Sequence, residues 1–289
     1  MRGLARAAVC AYLALATLPL VWMALTAFKA KEDAISLRPR FLPATAAEAD
    51  PDPERVTFPV TVSAFARLSE VHVGAVDSFW SHLGNSVLIG LGSTLLSVAL
   101  GTLCAYGFSR FRIPGAKDWL FFILATRFLP PLVVVIPILV MYRALGLTGT
   151  HLGLVLLYTA FNLSLSVWLM KGFIDDIPRA FEEAARVDGY SRLQAFFRVI
   201  LPQARTGMAV TAVFCLISAW NEYGFAITLN ASGAITVPAY FAGLQGNLDG
   251  MPWPQVAAGA LLFVAPIVLF TILVRRHLLR GITFGTVKQ

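Results

Sequence analysis

The sequence predicts an all-α polytopic membrane protein with six transmembrane helices, a two-helix cytoplasmic loop and both termini in the cytoplasm. Three observations carry this. First, the 289 residues are 57% hydrophobic and only 13% charged, with a mean hydropathy of +0.72. Soluble domains carry about 25% charged residues, so a water-soluble globule of this composition would expose large apolar patches. Second, six apolar stretches reach the roughly 20 residues that cross a bilayer. Third, Lys and Arg are distributed unevenly between the connections. The same composition excludes a disordered chain.

The first stretch runs over 7–28 without a charge. Arg2 and Arg6 precede it as in a signal peptide, but its 22 residues exceed the roughly 7–15-residue core of such peptides, so it is read as a retained anchor. The segment 29–82 follows as an outer, periplasmic loop. It holds eight of the 16 acids and is rich in Pro and Ala from Arg38 to Pro59, with a short helix expected near Ser63 to Leu68. The remaining spans are expected over 83–109, 119–142, 152–170, 207–229 and 256–274. Span three contains Arg127, Pro130, Pro131 and Pro137, span five contains Glu222, and span six contains Pro266. Proline in a spanning helix frees carbonyls and bends the backbone. No second domain is expected; the whole chain, 1–289, reads as one transmembrane domain.

With the N-terminus in the cytoplasm, the cytoplasmic pieces hold 15 of the 23 basic residues, and the two short outer loops hold only Arg143. The net charge of +7 is thus explained by cytoplasmic loops, and no nucleic-acid partner is expected. Cys10, Cys104 and Cys215 sit far apart inside apolar runs and read as small core hydrophobes. None of the four histidines, His72, His82, His151 and His277, falls within an expected span. No H-E-x-x-H motif occurs, so neither a catalytic centre nor a metal site is expected. The Asn162-x-Ser and Asn230-x-Ser patterns are set aside as glycosylation signals.

The connection 171–206 is long for a helix–helix loop, which usually takes about two to eight residues. It reads as two short amphipathic helices. Asp176 is placed to cap the first, and Pro178 suits its first turn. Ala180, Phe181, Ala184 and Ala185 form one face, with Glu182, Glu183 and Arg186 off it. Gly189 stops that helix. Leu193, Phe196, Phe197 and Ile200 face one way along the second, and Pro202 is expected to end the unit. Such a hairpin could lie on the membrane surface or dock a cytoplasmic partner.

The residues from Glu183 to Pro202, with Glu183-Ala184-Ala185-x-x-Asp188-Gly189, Phe196 and Ile200-Leu201-Pro202, resemble the EAA loop of ABC importer permeases. Tyr190 departs from the small residue usual there. Asn85-Ser86, Ala125 to Pro131, Tyr158 to Asn162, Trp220 to Tyr223, and the tail from Gly281-Ile282-Thr283 to Val287-Lys288 resemble the carbohydrate branch. The smaller permease of maltose-type importers is the most similar type. The resemblance implies a permease for a sugar, polyol or related solute that forms half of the translocation path. It also implies a second, related permease, two ABC ATPase subunits that use ATP and Mg, and a periplasmic or lipid-anchored solute-binding protein, all at a bacterial inner membrane. No cofactor is expected in this chain, which contains no G-x-x-x-x-G-K-[ST] loop and is not expected to be an enzyme. Glu182, Glu183, Ala184, Ala185, Asp188, Gly189 and Tyr190 are expected to couple to the ATPase. Arg127, Asn162, Trp220, Asn221, Glu222 and Tyr223 are candidates for the solute path. Arg127 and Glu222 are costly in hydrocarbon and should face the interior, where they could meet solute or pair with each other. An ion-gradient-driven secondary transporter is the alternative, with Glu222 its only carboxylate within a span.

Overall fold

The computed structural model describes residues 2–44, 56–70, 77–230, 232–244 and 250–283. His72, much of the acidic outer loop and the end of the tail (Val287-Lys288) lie outside them. The described residues form an all-α fold apart from one short parallel strand pair. Five helices are long and apolar enough to cross a membrane, and a sixth span results if one sharply bent pair is counted as a unit.

Contacts divide the chain into two compact units, 1–83 with 240–266, and 84–239 with 267–289. In the first, α1 (Arg2–Ala27) presents every side chain from Gly3 to Trp22 outside the chain's own core, as expected of an apolar helix surrounded by lipid or a partner. A single turn, α2 (Lys31–Ala34), follows it. The strands β1 (Leu42–Ala44) and β2 (Thr57–Pro59) pair in parallel, and α3 (Ser63–Ala66) continues into a 3₁₀ turn at Arg67–Ser69, where a short helix is expected. Lys29 is buried beside them. Its ammonium lies 3.9 Å from the Trp22 ring centroid and 5.0 Å from that of Phe58, a cation–π arrangement, and burial lowers its pKa from the ordinary lysine value.

The second unit is built on α4 (Phe79–Arg110), which enters it at Gly84, and on α5 (Ala116–Ala125), α6 (Pro131–Leu145), α7 (His151–Asp175), α8 (Arg179–Val187), α9 (Arg192–Ala195), α10 (Leu201–Trp220) and α11 (Gly224–Leu229). Beyond these, α12 (Val237–Gly243) and α13 (Trp253–Thr283) complete the helices. His82, expected outside the spans, is buried in the first turn of α4.

The expected span three is broken. A 3₁₀ turn, Thr126–Phe128, ends α5, and α6 restarts at Pro131 with its axis bent by 94°. Pro131 has no N–H to continue the ladder and drives the residue before it to extended backbone; Leu129 and Pro130 take ψ of 122° and 128°. Span five is also shorter than 207–229. Its helix α10 ends at Trp220, and Asn221 to Tyr223 separate it from α11. At the other end Pro202 does not terminate the preceding segment. A π turn over Phe196–Ile200 joins α9 to α10, and one helical run extends from Arg192 to Trp220. The π turn bonds the Leu201 N–H to the Phe196 carbonyl, five residues back, and the Gln203 side chain adds a bond to the Val199 carbonyl at 3.0 Å just past Pro202, which cannot donate.

Small residues set the helix packing in this unit. A Cβ on Gly101 would sit 2.2 Å from Ser166 Oγ, and one on Gly207 would sit 2.4 Å from Phe173 Cγ. These glycines make room for the Ser166 and Phe173 side chains of α7 against the backbones of α4 and α10. Asn85 Nδ2 donates to the Ile235 carbonyl and Ser86 Oγ accepts from Val237 N, fixing the segment after α11 to α4. Asn230 is fully buried, its side chain bonded to Gly149, Thr150 and Ala234, so no sugar could be attached there.

Candidate functional site

Two sites emerge, a helical elbow and a cavity. The elbow is α8 and the turn after it. Its N-cap is Pro178, with no side-chain cap; Asp176 instead closes the end of α7 and does not serve α8. Gly189 takes φ of +89°, the left-handed conformation that ends a helix without a Cβ penalty, and its N–H bonds to the Arg186 carbonyl. The next segment starts with a capping box, in which Ser191 Oγ accepts from Gln194 N and Gln194 Oε1 accepts from Ser191 N.

The faces of α8 differ from the expected ones. Of the face formed by Ala180, Phe181, Ala184 and Ala185, only Ala185 is buried and the other three are exposed. Glu182 takes the inward position. It accepts from the Tyr106 hydroxyl at 2.7 Å and from Arg110 Nε at 3.1 Å. A nine-residue helix has a single inward stripe, and here the ion pair occupies it. The outward face carries Phe181, Glu183, Ala184, Val187, Asp188 and Gly189, with Tyr190 beside it and the Arg198 guanidinium 5.5 Å from the Tyr190 ring centroid. In the second hairpin helix, Phe196 and Ile200 are buried, whereas Leu193 and Phe197 are exposed. Phe181 and Val187, 50% and 87% exposed, form an apolar strip that none of the described residues covers.

The cavity, open on one side and of about 210 Å³, lies where the two broken spans meet α7. Arg127 and Leu129 come from the break before α6, Pro131 from its first turn, Tyr158, Phe161 and Asn162 from α7, Ser218, Ala219 and Glu222 from the end of α10, and Phe225 from α11. Three of the six expected path residues meet here: Arg127, Asn162 and Glu222. The other three do not line it. Trp220 is buried towards Gly90 on α4, Asn221 bonds back to the Ile217 carbonyl, and Tyr223 is the exposed N-cap of α11.

Glu222 accepts from the Tyr158 hydroxyl at 2.7 Å and from the backbone N–H groups of Phe225 and Ala226 at 3.0 and 3.2 Å. It satisfies open donors of a helix that restarts within a span. Among the described residues no ion pair joins it to Arg127, so the pairing considered from sequence is absent. Asn162 donates to the Cys215 carbonyl at 3.2 Å, and its buried Oδ1 has no partner. Tyr158, Phe161, Ser218 and Phe225 were not singled out as path residues, although 158, 161 and 162 share one helical face. Among the described residues no cluster of His, Cys, Asp or Glu could hold a metal ion.

Residues 97–283 match the family described as "Binding-protein-dependent transport system inner membrane component". The chain is 31% identical over 270 residues to a probable ABC transporter permease protein, y4oR, of Sinorhizobium fredii, spanning 93% of this chain and 90% of the relative. It is 36% identical over 214 residues to the trehalose transport system permease protein SugB of Mycobacterium tuberculosis, spanning 73% of this chain and 78% of that one. In fold it is similar to a bacterial ABC transporter involved in the import of the acidic polysaccharide alginate, with a TM-score of 0.73 and 23% identity over 95% of both chains. These similarities favour an ABC permease over an ion-driven secondary transporter. A family match over 97–283, together with a relative that parallels nearly the whole sequence, makes this chain a member of the binding-protein-dependent transport system inner membrane components.

Proposed function

We propose that the chain is the permease subunit of an ATP-driven importer for a sugar, polyol or related solute, and that it forms half of the path. It works beside a second, related permease, two ATPase subunits that hydrolyse ATP with Mg, and a periplasmic or lipid-anchored solute-binding protein, with both termini in the cytoplasm. The observation that carries this reading is the exposed strip on α8, Phe181 with Ala184 and Val187, ending in the open Gly189 turn. An apolar face raised on an elbow between two spans suits a cleft in a separate subunit. Glu183, Asp188 and Tyr190 would supply the polar and aromatic rim of that contact.

The cavity supports the choice of solute class. It combines aromatic walls from Tyr158, Phe161 and Phe225 with the guanidinium of Arg127 and the hydroxyl of Ser218. Neutral polyhydroxylated rings offer apolar faces and alternating donors and acceptors, and such a surface receives both. The trehalose permease relative points to the same class.

Uptake into vesicles that carry the assembled transporter tests this. The solute is chosen by titrating the cognate binding protein with trehalose, maltose and glycerol. Uptake should require Mg-ATP on the cytoplasmic side and should persist when an uncoupler collapses the proton gradient. Uptake abolished by the uncoupler at constant ATP would return the ion-driven alternative.

A further inference from the structure

The inward side of α8 carries a contact set that the docking surface does not use. Arg110 closes the end of α4, and its side chain is 5% exposed. Its Nε donates to Glu182, and its NH2 donates to the carbonyls of Ile174 and Ile177 at 3.1 and 2.8 Å, in the last turn of α7 and the bend after it. Tyr106, one turn earlier on α4, donates to the other Glu182 oxygen and packs on Phe196 at 4.6 Å between ring centroids. From the start of α8, Arg179 donates to the Ser109 carbonyl at 3.0 Å. The end of α4 is therefore tied to both ends of the α7–α8 bend and to α8 itself. The only acidic side chain involved is Glu182, 12% exposed.

We propose that Glu182, with Arg110 and Tyr106, is the joint through which a displacement of α8 is delivered to α4, so that three membrane helices move with the elbow: α4, α7 and the Arg192–Trp220 run. The reading rests on α8 being the ATPase-docking element. Chain connectivity alone would pass a push on α8 only to its sequence neighbours α7 and α9–α10. Sliding α8 along α4 would separate a buried ion pair and leave the guanidinium charge uncompensated, so the two helices move as one body. Glu182 is thus a positioning residue, distinct from the outward residues that meet the partner.

The test uses the full transporter with its ATPase in nanodiscs. Cys10, Cys104 and Cys215 are replaced by Ala, and Ser218→Cys on the cavity wall reports access to a membrane-impermeant maleimide. In the parent complex, Mg-ATP with vanadate should change the labelling rate at least fivefold. With Glu182→Gln the ATPase should still co-purify, and the labelling change should fall below twofold. Tyr106→Phe, which keeps the ion pair, should give an intermediate change and guards against a Glu182→Gln complex that fails to assemble. A full labelling change in both variants would overturn the joint. Loss of the ATPase from either variant would also overturn it, because the residue would then act in docking. Failure of the parent chain to hold an ATPase would instead refute the proposed function.

Discussion

Gly189 and Glu222 show how single residues serve the two sites. Gly189 holds a left-handed φ, and a Cβ placed there meets nothing within 4 Å inside the chain. Gly189→Leu therefore costs the fold only the backbone strain, about 1–2 kcal/mol, while projecting a side chain into whatever seats on the turn. Membrane insertion should be unchanged, and ATPase capture in a pull-down should fall at least tenfold; wild-type capture and uptake would show that the turn meets no partner. Glu222 is a different case, because its carboxylate already has three donors. Glu222→Ala strands the first N–H groups of α11 and should lower stability by about 1–3 kcal/mol, read as a drop in the thermal aggregation midpoint of the detergent-solubilised protein. Tyr158→Phe removes one of the three bonds and should cost about 1 kcal/mol.

At the scale of elements, packing is set by glycine. Gly101 and Gly207 leave no room for a Cβ against α7. Gly101→Val should overpack the α4–α7 contact by about 1–3 kcal/mol or more and reduce the yield of folded protein in a fluorescence-detected size-exclusion assay. Gly107→Val, at a site with nothing within 4 Å, should leave it unchanged. The elements also show what sequence could and could not reveal. The apolar stretches locate the long helices because a bilayer demands about 20 apolar residues in a row. The break in span three at Pro130 and Pro131 and the shortening of span five at Trp220 escape that criterion, because hydropathy does not register a missing hydrogen bond. Pro202 misleads in the opposite sense: a π turn absorbs it. On α8 the spacing gives a correct helix and its apolar face but not which side turns inward, since the residue that does so is a glutamate whose partners lie more than 70 positions away on α4. Arg127, Asn162 and Glu222 were recognisable as path candidates because polar groups in spans are costly. Their aromatic neighbours were hidden among the 12% of aromatic residues that serve ordinary packing.

At the scale of the whole molecule, the described residues present an apolar strip on a short amphipathic elbow and an aromatic-walled cavity between interrupted spans. An elbow that only lay on lipid would present its apolar strip to the headgroups and would tolerate any substitution that kept it amphipathic. An elbow that receives mechanical work depends on the shape of one strip and one turn. Site-specific photocrosslinking separates these most directly. With a benzophenone residue at position 181 in the intact transporter, the account predicts a covalent product with the ATPase subunit, its yield altered by Mg-ATP with vanadate, and none from the same probe at position 62 in the outer loop. Crosslinking from position 181 to lipid alone, with no ATPase product in either nucleotide state, would contradict it.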